Sequence, residues 1–202
     1  MALRNIGGLT VTSPASTWAQ LGAVLSVRDL VAVGDAIVRV PRGEGGAPAD
    51  PASALGTTTQ LEAAIAAGRR VGIGRLREAL PLIRVGSSSR PESHLRLDLM
   101  DARLPTPVLD HEVRDGVGRL LGISEIAFPG FRVAVEYEGE QHRVDKLQWN
   151  RDIEKYRAYT AAGWTVVRVT AETLYRSSRP AAALVRDALW DAGWRPGSLV
   201  RD

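Results

Sequence analysis

The stretch ISEIAFPGFRVAVEYEGEQH, residues 123–142, decides how the second half of this chain folds. Two runs of alternating side chains flank the turn signal at residues 129–130, so we predict a β-hairpin built from residues 122–128 and 132–138. We expect opposed residues to sum to 259, because the turn centres on those two residues. Alternation along each strand then sets five apolar side chains on one face. They are Ile126, Phe128, Val133, Val135 and Tyr137.

The opposite face of this hairpin is acidic and carries Glu125, Glu136 and Glu138. In the expected register Glu125 faces Ala134, and Glu136 is its diagonal neighbour, with α-carbons about 7–8 Å apart. Like charges on one face repel unless a cation lies between them or one is protonated. Carboxylate oxygens suit Mg²⁺ or Mn²⁺. The sequence therefore indicates a divalent-cation site, and a solvated charged face on an edge strand is the alternative.

Three histidines and one further acid complete the candidate chemistry. His142 follows the carboxylate strand closely, where a neutral imidazole can take a proton from an attacking water. His94 and His111 lie away from that strand in sequence, and we assign them to ordinary hydrogen bonding. Glu92 falls in the first turn of a helix, where it either joins the site or only complements the helix dipole.

Composition excludes several classes of protein. The chain has 202 residues, 45% hydrophobic and 24% charged, which is typical of one large or two small globular domains. No apolar run approaches the roughly 20 residues of a membrane span, and the N-terminus has no signal-peptide pattern, so we expect a cytoplasmic protein. The absence of cysteine excludes disulfides, thiol nucleophiles and Cys-ligated metals.

Charge is distributed unevenly along the chain. Residues 1–86 carry nine Arg against six acids, whereas residues 87–202 have no net charge. A nucleic-acid partner is compatible with this excess, and a solvated helix face is the alternative for each cluster. We predict two groups of DNA-binding side chains, Arg69, Arg70 and Arg75 in the first part and Arg151, Lys155 and Arg157 in the second. The sequence gives no sign of a small-molecule cofactor, and a homodimer stays open.

The segment GSSSRP, residues 86–91, divides the chain into two parts. Residues 1–86 read as short helices with polar breaks, which predicts a small helical domain. In residues 87–202 helical and strand patterns follow in the order αβββαβ, with a helical tail. We therefore predict an α/β domain with a mixed sheet after a helical N-terminal region.

Five anchors of the second part occur in the order found in a known family. They are SRPESHLR (89–96), SEIAFP (124–129), VAVEYEGEQHR (133–143), Arg151-Asp152 and GWTVVRV (163–169). The pattern resembles a bacterial endonuclease-like domain-of-unknown-function family related to the very-short-patch mismatch-repair endonucleases. These belong to the PD-(D/E)XK, or restriction-endonuclease-like, superfamily. The resemblance covers residues 87–195 and implies a restriction-endonuclease-like core.

The resemblance assigns a role to each acidic position. It implies that Glu92 orients the metal shell, that Glu125 occupies the metal-binding aspartate position and that Glu136 is the first acid of the (D/E)XK element. Glu138 falls where that element has its lysine, and His142 matches a histidine that acts as general base or orients water. The implied reaction is Mg²⁺- or Mn²⁺-dependent hydrolysis of a DNA phosphodiester.

Two departures from the superfamily pattern keep an alternative open. Glu125 stands in place of an aspartate, and Glu138 in place of a lysine removes a cation and adds a negative charge. A second metal could replace that lysine, or the chain could be a catalytically inactive DNA-binding or regulatory module in a phage-defence or toxin–antitoxin setting. Longer members of the family begin with a winged-helix segment, so we expect a short or truncated member.

Overall fold

The computed structural model describes residues 2–43, 46–47, 50–139, 146–177 and 180–197, with side chains omitted for 146–150. The chain divides into two compact units, Met1–His94 and Leu95–Asp202. The first unit therefore ends eight residues after Gly86, the first residue of the GSSSRP segment. Among the described residues, no helix combines the length and the apolar character needed to cross a bilayer.

The first unit contains a β-hairpin that the sequence analysis missed. Strands β1 (Leu3–Ile6) and β2 (Leu9–Thr12) pair antiparallel, so the prediction of a purely helical region was wrong here. The hairpin escapes a pattern search because its apolar side chains are exposed, and alternation then has no buried face to mark.

The helices of the first unit bury one shared apolar core. Helices α1 (Pro14–Leu21), α2 (Val27–Val38), α3 (Thr58–Ala66) and α4 (Ile73–Ala79) follow the predicted helical patterns. Ser13 caps α1, and Thr57 forms a capping box with Gln60 at α3, which fixes where these helices begin. The largest fully buried side chains are Trp18, Leu30, Leu61 and Leu76.

The second unit is built on a four-stranded mixed sheet. Its strands are β3 (Val108–Arg114), β4 (Leu120–Phe128), β5 (Val133–Glu138) and β6 (Thr165–Thr170), in the order β3-β4-β5-β6. The first three pair antiparallel, and β6 runs parallel to β5. A parallel neighbour needs a long crossover connection, which helix α6 (Lys146–Ala161) provides.

Helices cover both faces of this sheet. The predicted apolar face of β4 and β5 packs against Leu95 and Leu99 of α5 (Arg90–Asp101) and against Val185 and Leu189 of α8 (Ala181–Asp191). On the other face, Tyr159 of α6 is fully buried against Val113 and Ala134. A short helix, α7 (Ala171–Tyr175), follows β6. The predicted αβββαβ order is confirmed at the level of a mixed α/β fold.

The hairpin register differs from the prediction. A 3₁₀ turn at Pro129–Phe131 and a left-handed Arg132 (φ 50°) lengthen the turn to four residues, so Phe128 pairs with Val133. Opposed residues therefore sum to 261, and the predicted pairing of Glu125 with Ala134 was wrong. Since the shift is by two residues, the five predicted apolar side chains still share one face, and all of them belong to or pack against the observed core.

Candidate active site

Glu136 lies near the middle of the sheet and is 3% exposed. Its strand β5 has β4 on one side and β6 on the other, so the alternative of a solvated face on an edge strand was wrong. The side chain points to the α6 side of the sheet, where a carboxylate loses most of its hydration. Burial raises the pKa of Glu136, which makes its charge costly to keep.

Lys155 of α6 provides the counter-charge. Its Nζ donates to Oε2 of Glu136 at 2.8 Å, and the lysine side chain is 23% exposed. The ammonium lowers the pKa of Glu136 and so opposes the effect of burial. The other oxygen, Oε1, is buried and has no hydrogen-bond partner in the described part of the chain. An orphaned carboxylate oxygen at this depth is an acceptor that a cation can satisfy.

Glu125 approaches the same point from strand β4. The β4–β5 ladder ends at the pair Ile126–Val135, one residue before Glu125, and Ala134 pairs with Ala127, so the predicted diagonal arrangement of Glu125 and Glu136 was wrong. The Tyr137 backbone N–H donates to Oε2 of Glu125 at 2.9 Å, which fixes this carboxylate beside β5. The β3–β4 ladder skips Asp110, which adopts a left-handed φ of 52° next to this position.

Glu138, at the end of β5, is held by an ion pair. Arg168 of the neighbouring strand β6 donates from its Nε to Oε1 of Glu138. The register explains the contact in outline, because Arg168 pairs with Glu136 and its long side chain reaches the next acid on the same face. Glu138 raises the pKa of Arg168, as expected for a charge pair. The negative charge that Glu138 adds is thus balanced within the sheet.

Tyr156 of α6 shows how closely the acids converge. Burial raises the pKa of its hydroxyl, and the charges of Glu136, Asp152, Glu138 and Glu125 raise it further. Its ring has two cations beside it, with the Arg168 guanidinium carbon 5.6 Å and the Lys155 Nζ 5.7 Å from the ring centroid. The same helix therefore brings an ammonium, a phenol and a fourth carboxylate to the acidic face of the sheet.

The remaining predicted acid and base, Glu92 and His142, are not among the described residues of the second unit. Glu92 belongs to the first unit, where its carboxylate accepts from Ser88 N at 2.6 Å and from Ser89 Oγ at 2.8 Å at the start of α5. These contacts are those of a helix N-terminus. His142 lies outside the described residues.

The two other histidines, which were assigned to ordinary hydrogen bonding, have contacts of a different kind. Nε2 of His94 lies 3.3 Å from a carboxylate oxygen of Asp29, and the imidazole is largely buried. The ring of His111 lies against Trp164, with centroids 5.7 Å apart, and burial lowers the pKa of that imidazole.

The predicted DNA-binding side chains have different surroundings. Lys155 faces Glu136 rather than solvent, while Arg151 and Arg157 lie on exposed positions of α6. In the first unit, Arg69 and Arg70 have no hydrogen bond or ion pair with the described residues, and together with Arg77 they line one cavity. The guanidinium of Arg75 instead donates to two backbone carbonyls, those of residues 23 and 25.

A cation would find part of a ligand set here. Within the described ranges, no group of three or more His, Asp or Glu side chains is arranged to hold a metal ion. The orphaned Oε1 of Glu136 is an acceptor for a divalent cation, while Glu125 accepts from the Tyr137 N–H and Glu138 pairs with Arg168. Glu136, and Glu125 because its donor is neutral, are therefore the candidate ligands.

Sequence reasoning missed the residues that α6 and β6 contribute. Lys155 was predicted to contact phosphate. Asp152 entered only as part of the Arg151-Asp152 anchor, and Tyr156 and Arg168 were given no role. Helical spacing alone does give a signal, since Asp152, Lys155, Tyr156 and Tyr159 recur at intervals of three and four. Only the crossover geometry shows that this stripe faces the carboxylate strand.

Comparison with known proteins gives distant relatives. No family model matches the chain, and no solved structure matches it. The chain is 28% identical over 186 residues to two uncharacterized proteins of Mycobacterium tuberculosis, from two strains. The alignment covers 91% of this chain. It spans only 64% of each relative's length.

Proposed function

We propose that this protein is a divalent-metal-dependent endonuclease that hydrolyses phosphodiester bonds of DNA. The observation that carries the proposal is the ion pair of the buried Glu136 with the partly buried Lys155, 2.8 Å apart. The second carboxylate oxygen of Glu136 has no hydrogen-bond partner among the described residues. Glu125 and Asp152 add negative charge close by. This combination of a buried acid, a partly buried amine and further acids is typical of a catalytic site.

Stability alone does not explain such a pair. Taking two charges out of water costs several kcal/mol per ion, and apolar side chains of similar volume are often as good or better. Apolar side chains would be accommodated at this point, since Val113, Ala134 and Tyr159 already pack on the same face. Retaining a glutamate and a lysine at this point therefore supports a chemical role.

Glu125 and Glu136 are the residues that would hold the metal ion. When bound, Mg²⁺ or Mn²⁺ supplies water activation and stabilises charge on the leaving oxygen. Lys155 favours the ionised form of Glu136 and so opposes burial, which is the larger effect and raises the carboxyl pKa. Arg168 balances Glu138, so this acid does not add an unpaired charge beside the reacting phosphate.

Lys155 also compensates for the lysine that the superfamily pattern has and this chain lacks. The resemblance places a lysine at position 138, where this chain has Glu138. Lys155 reaches the preceding acid of that element from α6 instead of from β5. An ammonium delivered from the helix can stabilise a developing negative charge as well as one delivered from the strand. This supports an active site over a degenerate one.

A second candidate is a catalytically inactive nuclease fold that binds DNA or regulates a partner, in a phage-defence or toxin–antitoxin setting. It is favoured by the engagement of Glu138 with Arg168 and by the lack of a three-ligand group in the described part of the chain. Such a module needs arginine surfaces and no metal.

A cleavage assay separates the two candidates. Supercoiled plasmid, duplex and single-stranded oligonucleotides are incubated with the full chain in Mg²⁺, Mn²⁺ or EDTA. The proposal predicts metal-dependent cleavage that Glu136→Gln reduces by at least about 100-fold, a loss usual for one essential charged group. Glu112→Gln is the matched control, because Glu112 is a strand glutamate paired with Arg114 away from this cluster.

DNA binding in EDTA completes the comparison. If no substrate is cleaved in either metal and the chain still binds duplex, the inactive module replaces the nuclease. Cleavage that survives Glu136→Gln would mean that the site lies elsewhere on the chain.

A further inference from the structure

The arginines of the first unit fall into two groups. Five of them donate to backbone carbonyls or to an acid within that unit and so serve the fold. They are Arg28, Arg42, Arg75, Arg84 and Arg90. The other five have no hydrogen bond or ion pair with any described residue. They are Arg4, Arg39, Arg69, Arg70 and Arg77.

Four of the five unpaired arginines line two cavities that share Arg70. The smaller cavity, of about 280 Å³, has Arg4 and Arg70 in its wall. The larger and more open cavity, of about 840 Å³, has Arg69, Arg70 and Arg77 in its wall. Both lie along helix α3 and the turn that follows it. Arg39 lines neither of them.

The smaller cavity has no acid to neutralise its two guanidinium groups. Its other polar side chains are already used by the fold. The hydroxyls of Ser13 and Ser16 accept from backbone N–H groups, and the amide of Gln60 belongs to the α3 capping box. The Nε of Arg70 is buried and has no hydrogen-bond partner in the part of the chain that the structure describes. A buried donor of a charged group without an acceptor is costly, and a bound anion removes that cost.

The larger cavity is also predominantly cationic. Glu62 is the one acid in its wall, against Arg69, Arg70 and Arg77. Guanidinium groups bind phosphate oxygens in bidentate geometry, and they do so with less dehydration cost than ammonium groups. The two cavities lie on different faces of α3 and have Arg70 in common, and their four cations exceed what a single phosphate group can engage. They match a ligand that carries several phosphates in a row.

We propose that Arg4, Arg69, Arg70 and Arg77 bind consecutive phosphates of a nucleic-acid backbone, so that the first unit holds DNA while the second unit cleaves it. The choice of DNA rests on the proposed function. Arg75 has no part in this surface, because its donors are committed to the carbonyls of Ala23 and Leu25.

The test is the salt dependence of duplex binding by the full chain. A fluorescent 20-base-pair duplex is titrated in EDTA, and its anisotropy is followed between about 50 and 200 mM salt. Each phosphate contact contributes about 0.9 to the slope of log affinity against log salt. We expect the double variant Arg70→Gln/Arg77→Gln to lower that slope by about 2 and to weaken binding at least 10-fold at the lowest salt.

Arg39→Gln is the matched control, since Arg39 belongs to the same unit, has no partner among the described residues and lies outside both cavities. Equal weakening in this control would show an effect of net charge and would overturn the proposal. An unchanged slope in the double variant would also overturn it, as would displacement of the duplex by inorganic phosphate or a free nucleotide at low millimolar concentration.

The plasmid assay tells this proposal apart from the nuclease. If the wild-type chain cleaves plasmid and the double variant binds duplex with an unchanged slope, the arginine surface fails and the nuclease stands. If no metal supports cleavage but the slope falls by about 2, the arginine surface stands and the nuclease fails.

Discussion

Replacing Lys155 by methionine removes the partner of a buried carboxylate and keeps a chain of similar length. Glu136 is 3% exposed and the lysine side chain 23% exposed, with 2.8 Å between the charged atoms. At an effective dielectric constant of about 20, unit charges at that distance attract by about 6 kcal/mol, most of which offsets desolvation. Breaking a buried pair costs about 3–5 kcal/mol, and the partial exposure of Lys155 lowers our expectation to about 2–3 kcal/mol at pH 8.

The loss in this variant depends on pH in a defined direction. Burial raises the pKa of Glu136 in the folded chain above its ordinary value of 4.5. Between those two values the folded state binds more protons than the unfolded state, so stability falls as the pH rises through this window. Without Lys155 the window extends to higher pH. The difference between Lys155→Met and wild type should therefore shrink when the pH is lowered from 8 to 5.

Urea unfolding at pH 8 and pH 5 measures the loss of unfolding free energy and its dependence on pH. Hydrogen exchange of β5 peptides reports on the second unit alone. The control is Lys146→Met, which replaces the other of the chain's two lysines, both of which lie in α6. The double variant Lys155→Met/Glu136→Gln should return to within about 1 kcal/mol of wild type, because no charge stays buried. The reasoning is refuted if Lys155→Met lies within 0.5 kcal/mol of wild type at pH 8, a threshold close to the usual effect of surface changes.

Three further substitutions test the packing within these units. Gly72→Ala should cost at least about 3 kcal/mol, because Gly72 has φ +80° and an added Cβ would lie 1.8 Å from the Gly22 carbonyl oxygen. Gly74→Ala, where a Cβ meets nothing within 4 Å, should be neutral or stabilising, and thermal melting compares the two. Tyr159→Phe should change the free energy of unfolding by less than about 1 kcal/mol, since the buried hydroxyl has no partner among the described residues. A loss above about 1.5 kcal/mol on chemical denaturation would reveal a hydrogen bond to that hydroxyl.

The local pattern of apolar residues was sufficient to predict much of the fold of the second unit. The alternation that assigned Ile126, Phe128, Val133 and Val135 to one face survives in the observed core, because a register shift of two residues preserves faces. The register of the hairpin could not be predicted from the sequence. It depends on the left-handed Arg132, and an arginine gives no turn signal there.

Longer-range features of the site could not be read from spacing. Glu136 lies on an inner strand because β6 returns parallel to β5 after α6, a pairing between segments about 30 residues apart. The same crossover turns Lys155 towards the sheet, so a residue predicted to contact phosphate faces a carboxylate. For the same reason, the sequence did not indicate that Arg168 is the partner of Glu138. Charge type can be read locally, whereas the choice of partner is decided by topology.

The central claim is that Lys155 and Glu136 form the core of a phosphodiester-cleaving site, and one rate tests it most directly. Mg²⁺-dependent nicking of supercoiled plasmid is measured for wild type, Lys155→Met and Lys146→Met, at a temperature where hydrogen exchange shows β5 folded in all three. We predict that Lys155→Met is slower by at least about 100-fold and that Lys146→Met matches wild type. Equal nicking by wild type and Lys155→Met, with β5 protected, would contradict the claim.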